Sequence, residues 1–555
     1  MSAQSFCRQA SALAFAFISV FAVFGSASAH AQTFKPIFEG TNATTIVNPS
    51  SRVVTQGTDG DMYFTSENGG TFYGTLFKVS PTGAGALVYD ISYFPTSGVS
   101  LGLDGEYYGT NGDGGPGGGC GFSGCGQIYK VSEAGKETIL YSFTGEGDGA
   151  DPQSPPILAA NGLFYGTAPA GGANSASTAY SISSSGAFKI LHTFAATEGQ
   201  QVQAELVQGL DGNFYGTAVN GGANGLGTIF KMSPTGTVAV LHNFAGSDGS
   251  NPCCGLLLAS DGNFYGTTSN GGGEGIAGVI FRITPAGVYT VLHSINPANG
   301  DGTGPGSTLT QGTDGKLYGV TASGGGGVSG TLFNMTTTGT FKTLYTFCSS
   351  GTCTDGYGPS SPLKQNTNGV FYGSTWSGGD LTQCNGEGCG EVYSLSTGLK
   401  PFVSLPLASG EEGAKEEILG QGFTTSSTVS FGGTPATITE ATSKLLVVKV
   451  PAGALTGSVT VTTGSETLTS SRIFRVTPTF LSFDPTSGPV GTPVTITGTG
   501  LTQTIGVAFD GTAASFTVDS DTQITATVPS GAKSGKITVT TQGGSVSSST
   551  SFTVN

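Results

Sequence analysis

Cysteines, acids, histidines and one tryptophan are the residues of this chain that could do chemistry, and most of them recur in register. Nine cysteines include three pairs at one spacing, Cys120/Cys125, Cys348/Cys353 and Cys384/Cys389, together with the adjacent Cys253 and Cys254. Cys7 falls in an N-terminal leader, and the even set that remains favours disulfides over thiols in an oxidising compartment. Each spaced pair would close a small local loop, while Cys253 and Cys254 would join each other or pair elsewhere. Zinc is the lesser reading, because histidines are few and the C-x4-C pairs lack ligand-like linking.

The acids recur as Asp-Gly-x-x-Pro at residues 148–152, 248–252, 301–305 and 355–359. A ring formed by Asp148, Asp248, Asp301 and Asp355 near carbonyl-rich loops would suit Ca2+, which takes six to eight oxygens. No single loop carries successive acids, so turn capping by Asp-Gly, with Pro stiffening the entry to the next strand, is the stronger account. His192, His242 and His293 share one repeat position with Tyr141 and Tyr345, which reads as packing rather than acid-base chemistry. The single Trp376 lies near Asp355, Tyr357 and Asp380, and would serve as a platform for a sugar ring or pack against Cys384/Cys389. Asp355 and Asp380 are also the acids a polysaccharide hydrolase or lyase would use. No Gly-x-Ser-x-Gly elbow and no repeated Trp docking motif accompanies them, so the sequence leans away from an enzyme.

These residues hang on a repeat. A Tyr-Gly-Thr core stands at Tyr108, Tyr165, Tyr215 and Tyr265, with variants at Tyr63, Tyr318 and Tyr372, spaced by 45 to 57 residues. That period suits a propeller blade. Each unit has room for four short β-branched or aromatic strands bounded by Gly, Pro, Asn or Asp, for instance 205–209, 213–218, 228–233 and 238–244. Asp-Gly or Asn-Gly between the first two strands predicts a type I′ hairpin in every unit. The expected fold class is all-β: a seven-bladed β-propeller followed by two immunoglobulin-like β-sandwich domains, with an open solenoid as the alternative for the repeats. A strand at 34–38 or one at 400–403 would complete a blade shared by both ends. Tight turns then occupy one face; the other carries the Gly-rich loops and all eight cysteines, where function concentrates.

The unit at 211–231, Asp-Gly-Asn-Phe-Tyr-Gly-Thr followed by Gly-Gly and Gly-Thr-Ile-Phe-Lys, resembles the GloVer tandem repeat of exported bacterial proteins over about residues 34–405. The resemblance implies a secreted or surface protein and names no reaction. Residues 478–555 carry Pro-Thr-Ser-Gly-Pro from Pro485, Val-Ala-Phe-Asp-Gly from Val507 and Val-Pro-Ser-Gly from Val528, and resemble the IPT/TIG domain. Residues 406–477 repeat that scheme, but Gly410-Glu411-Glu412-Gly413 replaces the Pro-rich opening of the unit. Such domains imply spacing or adhesion.

Arg8, an apolar run from Leu13 to Phe24 and Ala29-His30-Ala31 predict a secretory signal over 1–31, removed to leave Gln32 first. The expected mature domains are 32–405, 406–477 and 478–555, secreted, periplasmic or held at a bacterial surface. A net charge of −15 with 20 Lys and Arg excludes a nucleic-acid surface, and no later stretch predicts a membrane span. Together these features predict a non-catalytic protein, without cofactor, that binds a carbohydrate or surface protein. The polysaccharide-active enzyme and a structural envelope or matrix component are the alternatives.

Overall fold

The computed structural model describes residues 32–555 apart from 42–45, 71–73, 92–96, 116–119, 121–123 and 325–328, so the expected leader and Cys7 lie outside the described residues. Each repeat folds into one antiparallel sheet of four or five short strands, spanning 46–91, 99–142, 157–193, 207–243, 257–294, 303–346 and 357–396. In the fourth sheet the strands are Val207–Gln208, Phe214–Ala218, Thr228–Met232 and Val238–Asn243. The outermost strand of the seventh sheet is Thr33–Glu39, paired antiparallel with Glu391–Ser396. The N-terminal segment therefore completes the last sheet. The segment at 400–403 goes elsewhere, with Val403 and Leu405 in the core of the first sandwich, ahead of the expected boundary at 406.

Every residue of the Tyr-Gly-Thr core has a physical reason. The tyrosine hydroxyl donates to the turn acid four residues earlier, as from Tyr108 to Asp104 at 2.7 Å and Tyr265 to Asp261 at 2.7 Å. Its ring stacks on the next sheet, Tyr108 on Phe164 at 3.9 Å, Tyr165 on Phe214 at 4.0 Å and Tyr215 on Phe264 at 4.0 Å. The glycine lies under an aromatic ring of the third strand: a Cβ on Gly216 would sit 2.6 Å from Phe230. The threonine hydroxyl crosses to the next sheet, from Thr217 to the Cys254 carbonyl at 2.9 Å. Buried clusters join each sheet to its neighbour, and Tyr372 and Val392 of the seventh pack with Val54, Met62 and Phe64 of the first. The repeats thus form a closed, propeller-like ring with its first strands innermost, where Thr55 bonds the Val99 carbonyl and Gly255 bonds Thr308.

The Asp-Gly turns differ from the expected type I′ geometry. Gly57 N donates to Asp61 O and Gly60 N to Gly57 O, with Gly60 at φ 86° and no positive φ at Asp59. This is a three-residue turn ending in a left-handed glycine. The acid keeps ordinary backbone angles because its carboxylate caps the turn, accepting from Asp61 N at 3.0 Å.

The two C-terminal units are β-sandwiches with cores centred on Val429, Phe431, Val448 and Phe474, and on Ile496, Phe509, Ile524 and Phe552. Despite its acidic opening, the first closes its edge as the second does: Ser409–Gly410 runs parallel to Arg475 and Val476, as Ser487–Gly488 does to Thr553 and Val554. Among the described residues no helix is long and apolar enough to cross a membrane.

Candidate functional site

The first sandwich is docked on the ring. Leu419 is buried with Tyr63 and Tyr107 between the first two sheets, and Lys415 donates to the Leu103 carbonyl at 3.3 Å. Arg475 donates to the Leu210 carbonyl at 2.6 Å, and Gln421 to Thr367 Oγ1 at 2.8 Å. Leu103, Leu210 and Thr367 belong to the tight turns of the second, fourth and seventh sheets. The sandwich therefore covers the turn face, and among the described residues none of these docking contacts falls on the loop face.

On the open face the acids and ring donors predicted separately form one device. The Asp of each Asp-Gly-x-x-Pro phrase accepts a hydrogen bond from the side chain at the shared His/Tyr position. Tyr141 donates to Asp148 at 2.8 Å and Tyr345 to Asp355 at 2.7 Å, while His242 meets Asp248 and His293 meets Asp301 at 2.9 Å. Glu198 takes the same place for His192 at 2.8 Å. The carboxylates also accept from loop N–H groups, those of Thr144, Ala245, Asn296 and Cys348. His and Tyr are interchangeable there because both end a flat ring in a polar hydrogen. The histidines therefore do more than pack, and burial holds the His242 imidazole below its usual pKa against the pull of Asp248. Asp148, Asp248, Asp301 and Asp355 already receive N–H and O–H donors. Among the described residues no three His, Cys, Asp or Glu side chains gather in a metal-holding geometry.

Disulfides join Cys120–Cys125, Cys348–Cys353 and Cys384–Cys389 within their loops, and Cys253 joins its neighbour Cys254. Two of these staples flank the seventh-sheet cluster. Tyr357 and Trp376 lie on adjacent strands, Tyr357 opposite Ser377, and are 42% and 37% exposed. Trp376 stands opposite Gly358, so strand alternation sends the two rings to opposite faces of the sheet, where each is exposed without a described aromatic partner. Asp355 beside them is held by Tyr345. Asp380 caps its own turn through Thr382 N at 2.9 Å and Thr382 Oγ1 at 2.7 Å, which lowers its pKa.

Two features escaped the sequence. A cavity of about 620 Å3 opens between the third and fourth sheets, lined by polar groups of Asn174, Ser175, Gln200, Gln201 and Asn220 and by alanines, Pro169 and Phe194. Its lining carries no charge. Glu391, at the head of a seventh-sheet strand, is 0% exposed with neither carboxylate oxygen hydrogen-bonded to a described group. Burial first, then the charges of Glu39 and Asp355, push its pKa up to about 8. Its register was the available signal: Thr178, Thr228 and Thr331 stand there in other sheets, each bonded to a loop carbonyl.

A ring of repeated antiparallel sheets with one face capped by an immunoglobulin-like domain defines a propeller-like repeat protein. Residues 22–211 and 156–393 match the Gloeobacter/Verrucomicrobia repeat, and the chain belongs to that family. Residues 408–474 and 478–554 match the IPT/TIG domain. No curated protein matches the chain significantly. Among solved structures, it is similar to a fungal alcohol oxidase of the AA5 family in complex with copper, at 14% identity and TM-score 0.43, covering 80% of this chain and 98% of that one. The WD40 propeller domain of Doa1 is similar at 13% identity and TM-score 0.42, covering 66% and 97%. The surface glycan-binding protein PbSGBP-B from Prevotella bryantii is similar at 23% identity and TM-score 0.21, covering 26% of this chain and 38% of that one. These likenesses are too distant to carry a ligand or a reaction over.

Proposed function

We propose that this chain is an exported, non-catalytic binding or adhesion protein, a closed seven-bladed propeller whose loop face recognises a carbohydrate or a surface protein. The observation that carries the reading is the docking of the first sandwich on the turn face, away from the exposed Tyr357 and Trp376 rings and the uncharged amide-lined cavity. Amides and exposed aromatic rings are the groups that meet the hydroxyls and C–H faces of a sugar. Four disulfides suit an oxidising compartment outside the cytosol. The last sandwich acts as a spacer, and recognition of this kind draws on no cofactor. Asp355 and Asp380, the acids an enzyme would use, are each engaged, Asp355 by Tyr345 and the Cys348 N–H and Asp380 by Thr382 of its own turn.

The test incubates the mature chain with insoluble polysaccharides and envelope fractions, reading protein depletion and soluble sugar ends together. Depletion without release is expected, weakened about tenfold or more by Trp376→Ala with Tyr357→Ala. Released sugar ends would overturn the reading in favour of an enzyme, and neither signal would favour a structural role.

A further inference from the structure

The inner wall of the ring carries an unbalanced charge cluster beneath the first sandwich. Glu205, on the approach to the first strand of the fourth sheet, leans over Gly255, whose Cβ would sit 2.7 Å from its Cγ, and lies beside Thr308. Lys364 opens the first strand of the seventh sheet, opposite Tyr372. The third member comes from the sandwich. Its strand Glu466–Val476 is tied towards the seventh sheet through Val403, which bonds Thr469, and Phe402, which bonds Thr367. It is tied to the fourth sheet through Arg475 and Leu210. The strand thus crosses the channel mouth, and Arg472 sits between the two attachments.

The crossing segment is a bulge in the pairing between Ser458 and Thr460. The last sandwich has the same bulge between Lys536 and Thr538, with Thr550 where the first has Arg472. In both, the serine two residues before bonds the carbonyl of this residue. The shared fold explains the bulge, and the guanidinium is particular to the copy that meets the channel.

Lys364 and Arg472 both touch solvent, yet surrounding protein pulls both pKa values below their usual range. Among the described residues neither head group makes a salt bridge, and Glu205 is the acid acting on both. Charge is arranged differently elsewhere around the ring: Arg52 has Asp151 and Glu67, and Arg475 has Asp211. Two cations facing one acid leave a net positive floor in a chain of net charge −15. An ammonium and a guanidinium fork on one inner wall suit a carboxylate.

We propose that Lys364 and Arg472 form the floor of a one-mouthed channel that binds a small carboxylate-bearing ligand, either a free sugar acid or the acidic end of a glycan, entering from the loop face. The site is distinct from Tyr357 and Trp376. Glu205 sets its strength by competing for the same cations.

Calorimetric titration of the full mature chain with glucuronate, a short oligogalacturonide and glucose tests the site. At least one acidic probe is expected to bind saturably while glucose does not, and the acidic probe that binds tells free acid from chain end. Lys364→Gln and Arg472→Gln should each weaken binding about tenfold or more, and Glu205→Gln should tighten it. Lys364→Gln lies wholly on the ring, and a gain in affinity cannot come from misfolding. Failure of both acidic probes, equal binding of glucose, or indifference to both cation substitutions would overturn the proposal.

Discussion

Replacing Glu391 by Gln should stabilise the seventh sheet increasingly as pH rises. Gln127 occupies the same register in the second sheet, so the substitution is one the fold already tolerates. The Glu391 carboxyl moves from 4.5 in the unfolded chain to about 8 in the folded one, mainly because its charged form is desolvated. Folding near neutrality therefore takes up a proton. The stability linked to this group is fully present below the unfolded value and is lost as pH rises through the folded one. Linkage puts the cost at about 1 kcal/mol at pH 5 and about 3 kcal/mol at pH 7, and Gln removes it. Urea unfolding at pH 5, 6, 7 and 8 reads this locally, because the chain's single tryptophan, Trp376, lies on the adjacent strand of the same sheet. The gap between variant and parent should widen by about 2 kcal/mol from pH 5 to pH 7. A gap that does not change with pH would refute the reasoning, whatever its size.

Two further substitutions probe the scaffold. Leu419→Asp puts a carboxylate among Tyr63 and Tyr107 and should release the first sandwich from the ring, seen as a larger radius of gyration by small-angle scattering; an unchanged radius would contradict the docking. Cys348→Ser with Cys353→Ser opens a six-residue loop, which by loop entropy loses about 2 kcal/mol of local stability. Hydrogen exchange across residues 348–359 should rise accordingly, and unaltered protection would argue against that staple.

Features written in local pattern were legible from sequence. The Tyr-Gly-Thr repeat specifies hairpins, the C-x4-C spacing permits short staples, and the Gly/Pro-bounded strands of the sandwiches alternate plainly. The closing strand was ambiguous because the segments at 34–38 and 400–403 have similar composition, and long-range pairing with Glu391–Ser396 chose between them. The turn type was not legible because Asp-Gly fits two hairpin geometries, and the side-chain cap on Asp61 selects the one without strain at Asp59. The histidines had a readable signal, an acid six residues on at Glu198 and Asp248 and eight on at Asp301. Docking of the sandwich had none, since Leu419, Gln421 and Arg475 share no periodicity. Arg472 and Glu205, 267 positions apart, meet only because of that docking.

The Tyr-Gly-Thr core carries both halves of a joint: a ring that stacks forward, and the aromatic before it that receives the ring behind. A duplicated unit therefore arrives with its own coupling to either neighbour, and a deletion leaves compatible ends. The number of units can change without inventing new contacts, while the loops, which take little part in that stacking, diversify freely. Such a lineage can alter circumference and recognition independently, so a relative with more or fewer repeats should keep the tyrosines and differ in its loops.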